Sequence, residues 1–294
     1  MSAIVTQTDL KHSPDIAFDF VRALAEELSA GKVDPPSFPE VAVRVRRVLS
    51  DPNSSVDQVV RVVGSEPALA ARLMRIANSA SFNRSGRPVT DLRAAINRIG
   101  SNMVRSASIS FAMLQIRNSN KLAGLEDHLN ELWVRSTSVA AFAFVLARTF
   151  TRINPDEAML TGMLHGLGKL YVLTRAVNHP ELFASPDKLH EIIRDWHASI
   201  GKAILENWDF PEPMAEAVGA QEDHERAEPA DPDLRDVIAT AIVLSSFPTE
   251  DPGVLAALEG VPAAAHLGLN AGNTQDVMRN SAAEVAAITQ ALGA

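Results

Sequence analysis

The sequence predicts an all-α protein, and three observations carry that prediction. Apolar residues recur at helical spacing (i, i+3, i+4, i+7) in nearly every segment. No segment shows the apolar–polar alternation of a half-buried strand. Gly and Pro cluster between the periodic segments. With 294 residues, 46% hydrophobic and 21% charged, the chain has apolar material for a substantial core, arranged as one large domain or two modest ones.

The elements follow in order. Ile16, Phe20, Leu24 and Leu28 repeat at helical spacing among good helix formers. The stretch from Gly31 to Pro39, GKVDPPSFP, breaks that helix and reads as a linker. Val41, Val45, Val48 and Leu49 form the next stripe. Ser55 is placed to cap a helix carrying Val56, Val59, Val60 and Val63. Valine favours strands, but the period here is helical, and period outranks propensity. Pro67 opens a helix continued by Leu69, Leu73 and Ile76. Asn78 ends it, where asparagine tolerates left-handed geometry and satisfies terminal backbone groups. Leu92, Ile96 and Ile99 form a short helix that stops at Gly100, and Val104 to Ile116 forms another. Leu125 to Phe150 is a long helix, apolar on more than one face and so expected to be central. Asp156 to Leu164 and Leu189 to Trp208 follow. A proline-acid stretch, Gln221 to Asp233, leads to Ile238–Phe247, and the alanine-rich remainder forms small helices, clearest over Val277 to Leu292.

Several function classes are disfavoured. The chain has no cysteine, so it uses no disulfide, zinc ribbon or thiol nucleophile. The formal charge is 27 − 36 = −9, against whole-surface attraction to nucleic acid or anionic lipid. That charge is uneven. From Glu40 to Arg105 there are eleven arginines, no lysine and five acids, giving +6, and the remainder carries −15. No apolar run is long enough to span a bilayer, and the first fifteen residues lack the pattern of a secretory signal, so a cytoplasmic location is expected. There is no Gly-rich phosphate loop and no GxSxG.

Residues with chemical potential concentrate in the second half. His165 is followed by Gly166, Gly168 and Lys169; His197 lies on an apolar helical stripe; His224 lies in an acidic stretch. Three imidazoles could hold a first-row metal and leave a position for water. No clear pattern of carboxylates accompanies them, and a histidine on an apolar face is more often a hydrogen-bonded core residue.

The order of short motifs resembles the HDOD domain, the HD-related output domain of bacterial signalling proteins. The matching pieces are Pro36-Ser-Phe-Pro39, Asp51-Pro52, Glu66-Pro67-Ala-Leu69, Leu73-Met-Arg-Ile-Ala-Asn78-Ser79-Ala80-Ser-Phe82, and Ala95-Ile96-Asn-Arg-Ile-Gly100. In the second half they are Leu132-Trp133, Gly162-Met-Leu-His165, His197-Ala-Ser-Ile-Gly201 and Trp208-Asp-Phe-Pro211. The resemblance spans roughly residues 33 to 247. It implies a multi-helix architecture in which an N-terminal helical subdomain packs on an HD-like helical subdomain. The expected divisions are residues 1–32 (helix and linker), 33–120 (HDOD-specific helices), 121–247 (degenerate HD-like part) and 248–294 (helical extension).

Catalytic HD-type phosphohydrolases hold a divalent metal with His…His-Asp…Asp. By this resemblance the first histidine position is Arg135, the paired His-Asp is His165-Gly166, and the last aspartate falls near Ala241-Ile242. His197 and His224 resemble later histidines of the extended site. Loss of both carboxylates removes the anionic ligands of a hard cation, and Arg135 is permanently charged and cannot ligate. Arg135 is expected to put a fixed cation where the metal would sit and to pair with a carboxylate or bound anion. Lys169 could join it and His197 in holding an anion.

The expected function is a non-catalytic regulatory or interaction module in bacterial signal transduction. No sensor or receiver domain is read in these residues, so its input is expected from a signalling-protein partner or a small phosphate-containing ligand. Arg44, Arg46, Arg47, Arg72 and Arg75 are the candidate docking face for an acidic partner. No cofactor or metal is expected. The alternatives are a metal-dependent phosphohydrolase of nucleotides or cyclic dinucleotides, with His165, His197 and His224 as its site, and a nucleotide-binding sensor without catalysis. Nothing in the sequence sets the oligomeric state.

Overall fold

The structure is a computed structural model that describes residues 16–33, 40–51, 53–79, 82–83, 86–117, 124–223, 231–249 and 251–292. The described residues form α-helices and connecting turns, with no strand among them. In chain order the helices are α1 (Ile16–Ser29), α2 (Glu40–Ser50), α3 (Val56–Gly64), α4 (Pro67–Ala77), α5 (Leu92–Arg117), α6 (Glu126–Phe150), α7 (Pro155–Leu164) and α8 (Leu167–Ala176). They continue with α9 (Pro180–Phe183), α10 (Pro186–Asn207), α11 (Glu212–Gly219), α12 (Leu234–Leu244), α13 (Gly253–Glu259), α14 (Pro262–His266) and α15 (Thr274–Leu292). The all-α class follows the hydrophobic period directly.

Local chemistry sets the ends. Ser55 closes a capping box: its Oγ accepts from the Gln58 amide (3.3 Å), and the Gln58 side chain accepts from the Ser55 amide (2.7 Å). The valines of α3 behave as their period demands, with Val59 and Val63 buried. Pro67, Pro155 and Pro186 each occupy a first helical turn, where a missing N–H removes no hydrogen bond. Gly100, at φ 78° and ψ 164°, breaks α5 into the two segments the sequence suggested. Asn78 departs from expectation. Its φ is −95°, not left-handed, and its amide binds the Val89 backbone twice: Nδ2 donates to the carbonyl (3.0 Å) and Oδ1 accepts from the N–H (2.8 Å). Asn78 therefore pins the return of a loop and does not serve as a left-handed cap. Helix α11 falls where the sequence suggested only a connection; eight residues give too short a period to read.

One hydrophobic core runs from Phe20 to Leu292. Helix α6 is central, with α7, α12 and α15 packed around it, while α5 lies against α4 and α2 and also reaches α7. Helix α10 lies on α8 and α11, and α1 rests on α9 and α10. The pieces that position the site are thus α6, the α7–α8 junction, α10 and α12.

Candidate functional site

His165 caps the C-terminus of α7, and Gly166 is the cap residue before α8. His165 is 1% exposed, and its Nδ1 donates to the Gly162 carbonyl at 2.7 Å. That bond fixes the neutral tautomer with the proton on Nδ1. Burial dominates its titration and pulls its pKa down to about 3, with Lys169, Arg135 and His197 adding cationic repulsion against the Gly162 bond. His165 is a neutral imidazole at physiological pH.

His197, on α10, is fully buried. Its Nε2 meets Glu222 Oε1 at 2.9 Å, and its Nδ1 faces the Gln221 amide nitrogen at 3.5 Å. A carboxylate only accepts, so Nε2 carries the proton toward Glu222. Gln221 also donates to the Val218 carbonyl (2.9 Å) and the His165 carbonyl (3.3 Å). One buried amide thereby joins the α7–α8 junction to α10 and α11.

Arg135 reaches from α6 to the C-terminal end of α12. Its Nη2 donates to the Ile242 carbonyl (3.1 Å) and its Nη1 to Ser246 Oγ (2.8 Å), while Ser246 donates to the same carbonyl (3.0 Å). A cation here satisfies a last-turn carbonyl and complements the helix dipole. Among the described residues its hydrogen-bond partners are a carbonyl and a hydroxyl, and no carboxylate takes that place. Burial lowers its pKa, opposed by Glu131 and Glu222. Lys169 stands nearby in the first turn of α8, half-buried; desolvation lowers its pKa, and Glu222 and Arg135 pull in opposite directions.

The glycines decide how closely these parts approach. A Cβ on Gly166 would lie 2.6 Å from Leu132 Cδ1 and 3.0 Å from Ser136 Oγ. The space a side chain at 166 would need is filled by α6. A Cβ on Gly168 would collide with the His197 carbonyl of α10.

The structure therefore brings Arg135, His165, Gly166, Lys169, His197 and Ile242 into one centre. These residues do not fit a divalent metal. His165 offers only Nε2, the protonated Nε2 of His197 is directed at Glu222, a guanidinium stands nearby, and position 166 has no carboxylate, the Leu132 and Ser136 side chains occupying the space beside it. Among the described residues no three His, Asp or Glu side chains converge on a common point. His224 lies outside the described residues. Sequence reasoning missed Gln221, Glu222, Glu131 and Ser246, because none sits in a recognisable motif and only packing brings them in.

The docking-face arginines separate. Arg47 and Arg75 are exposed and Arg44 is half-buried, while the Arg46 side chain lies outside the description. Arg72 is a correction: at 4% exposure it points into the core, donates to Ser110 Oγ (2.7 Å) and stacks over Trp133, so it cannot belong to an exposed face.

Comparison with known proteins identifies the family of the chain. The family model of the HDOD domain matches residues 36–224. The chain belongs to the HDOD family. HDOD architecture recurs in a Shewanella amazonensis SB2B structure provisionally named a metal-dependent phosphohydrolase, which is 28% identical with a TM-score of 0.76, covering 94% of this chain and 99% of that one. An HDOD domain protein of unknown function from Geobacter sulfurreducens is 20% identical with a TM-score of 0.67, covering 94% and 98%. A Marinobacter aquaeolei VT8 structure provisionally named a signal transduction protein is 21% identical with a TM-score of 0.61, covering 94% and 65%. These last two likenesses establish the fold. An uncharacterised Treponema pallidum protein is 26% identical over 198 residues, and the match takes in 63% of this HDOD chain and 37% of that protein's length. No described helix is long and apolar enough to cross a membrane.

Proposed function

We propose that this HDOD protein is a regulatory module of bacterial signal transduction that acts by binding a partner, without catalysis of its own. The observation that carries the reading is the chemistry at the centre of the HD-like half. Arginine, glycine and an alanine–isoleucine pair stand where the resemblance puts metal ligands, and Arg135 is engaged as a clamp between α6 and α12. An engaged guanidinium and a filled 166 position supply neither a general base nor an anionic cage for a cation. The same parts serve rigidity, tying four helices around buried His165 and His197. The exposed arginines Arg47 and Arg75, with half-buried Arg44, are the face offered to an acidic signalling protein.

The name of the Shewanella relative favours the alternative of a metal-dependent phosphohydrolase. Metal analysis of the full chain, with turnover assays on nucleotides and cyclic dinucleotides, separates the two. The expected result is sub-stoichiometric metal and no turnover. Stoichiometric iron, manganese or zinc with hydrolysis that His165→Ala abolishes would overturn the proposal.

A further inference from the structure

Arg72 has a property that the centre above does not explain. It lies on α4 where α5, α6 and the end of α15 meet, and 4% of its surface remains accessible. Among the described residues its guanidinium has one hydrogen-bond acceptor, Ser110 Oγ, and that hydroxyl sends its own proton to the Leu292 carbonyl at 3.0 Å. Its Nε is buried without any partner. The Trp133 ring lies 5.7 Å from the guanidinium carbon and offers a π face. No carboxylate of the described residues lies within ion-pair reach, and the charge that bears on Arg72 is the like charge of Arg75, one turn along the same helix and exposed. Burial and that repulsion together pull its pKa down to about 10, still far above neutrality, so the group remains charged.

A charge removed from water without a counter-charge is among the costliest arrangements in a fold. Arg93 pairs with Asp57; Arg98 and Arg105 donate to helix carbonyls, and Arg105, whose Nε is also buried without a partner, is more exposed than Arg72 and, among the described residues, lacks the aromatic face and neighbouring cation. Arg72 presents unused donor capacity, a flanking aromatic face and a second cation beside it. That set of groups matches a small planar or tetrahedral oxyanion, which guanidinium recognises through its fork of N–H groups.

We propose that Arg72, with Arg75, forms an oxyanion-binding site at the junction of α4, α5, α6 and α15, taking a carboxylate or phosphate group. The site lies apart from the HD-like centre and stands or falls independently of the function proposed above.

The test is titration of the full chain with inorganic phosphate and, separately, acetate, at constant ionic strength against sodium chloride. Tryptophan fluorescence reports on the ring beside Arg72, and the melting midpoint reports binding to the folded state. Saturable responses to phosphate, acetate or both, beyond that to chloride, are expected, and which anion responds identifies the group. Arg72→Met, which keeps apolar volume, is expected to abolish the response; Arg75→Gln should weaken it at least threefold; Arg61→Gln, at an exposed position of α3, should leave it unchanged. A response no greater than that to chloride overturns the proposal, as does one retained in Arg72→Met. Should Arg72→Met fail to fold, Arg75→Gln decides: an unaltered dissociation constant overturns the site.

Discussion

Gly168→Ala is the sharpest perturbation of the packing that builds the centre. A Cβ at 168 would overlap the His197 carbonyl oxygen, with the carbonyl carbon 2.7 Å away and the Gly201 nitrogen 2.9 Å away. All three are backbone atoms of α10, so no side chain can rotate aside. Bringing the carbonyl carbon alone from 2.7 Å to an ordinary 3.4 Å contact needs α8 and α10 to part by about 0.7 Å, and clearing the oxygen needs more. Overpacking of a core costs about 1–3 kcal/mol, and a backbone obstacle puts this case near the top, at about 3 kcal/mol. Alanine in a helix returns about 1 kcal/mol over glycine, leaving a net loss of about 2 kcal/mol. For a chain of 294 residues that lowers the melting midpoint by roughly 3 °C. Gly64→Ala is the control: its Cβ would meet Leu92 Cδ2 at a comfortable 3.8 Å, so only the helix gain remains, at most about 1 kcal/mol at the last residue of α3, raising the midpoint by no more than roughly 2 °C. Thermal unfolding followed by circular dichroism reads both. A Gly168→Ala protein that melts at or above wild type would refute the claim that α8 and α10 are in backbone contact here.

Two further outcomes follow from the centre. Arg135→Met deprives the Ile242 carbonyl and Ser246 of their charged donor, and denaturant unfolding should show a loss of about 2 kcal/mol; unchanged stability would remove Arg135 as a clamp. His165 has a folded pKa of about 3, below its unfolded value near 6.5, so the unfolded chain takes up the proton first as pH falls. Its contribution to stability is complete above pH 6.5 and is lost progressively from there down through about pH 3, at about 1 kcal/mol per unit. His165→Gln should flatten stability against pH across that window, and equal slopes in the two proteins would refute a buried neutral imidazole.

How much of this was legible in the sequence depended on whether the signal was periodic or tertiary. Helical spacing located α3, α6 and the break at Gly100, because burial of one helical face is a local pattern. Order and spacing of short motifs located the family and brought Arg135, His165 and Gly166 to one centre. The partners of those residues were not legible. Gln221 and Glu222 meet His197 only because α11 turns the chain back, and α11 is too short to announce itself. Gly166 was readable as a missing carboxylate, yet that its place is filled by Leu132 is a fact of helix packing.

The positive segment is where the sequence misled most, and the reason is geometric. Eleven arginines without a lysine suggested a surface for acidic partners. Four of them have work elsewhere: Arg72 enters the core, Arg93 pairs with Asp57, Arg98 donates to the Ala77 carbonyl (3.3 Å) and Arg105 to the Leu49 carbonyl (3.0 Å). Ala77 ends α4 and Leu49 lies in the last turn of α2, so both contacts satisfy orphan carbonyls from a neighbouring helix. Arg135 does the same to α12 from the other half of the molecule. Three helix ends, each closed by an arginine borrowed from another helix, form a recurring device in this chain. At Arg135 it calls for arginine over lysine, because a planar fork holds two acceptors at a fixed angle, while an ammonium is a flexible point donor. A share of the +6 is therefore internal wiring, and the docking surface narrows to those arginines that neither cap nor pair.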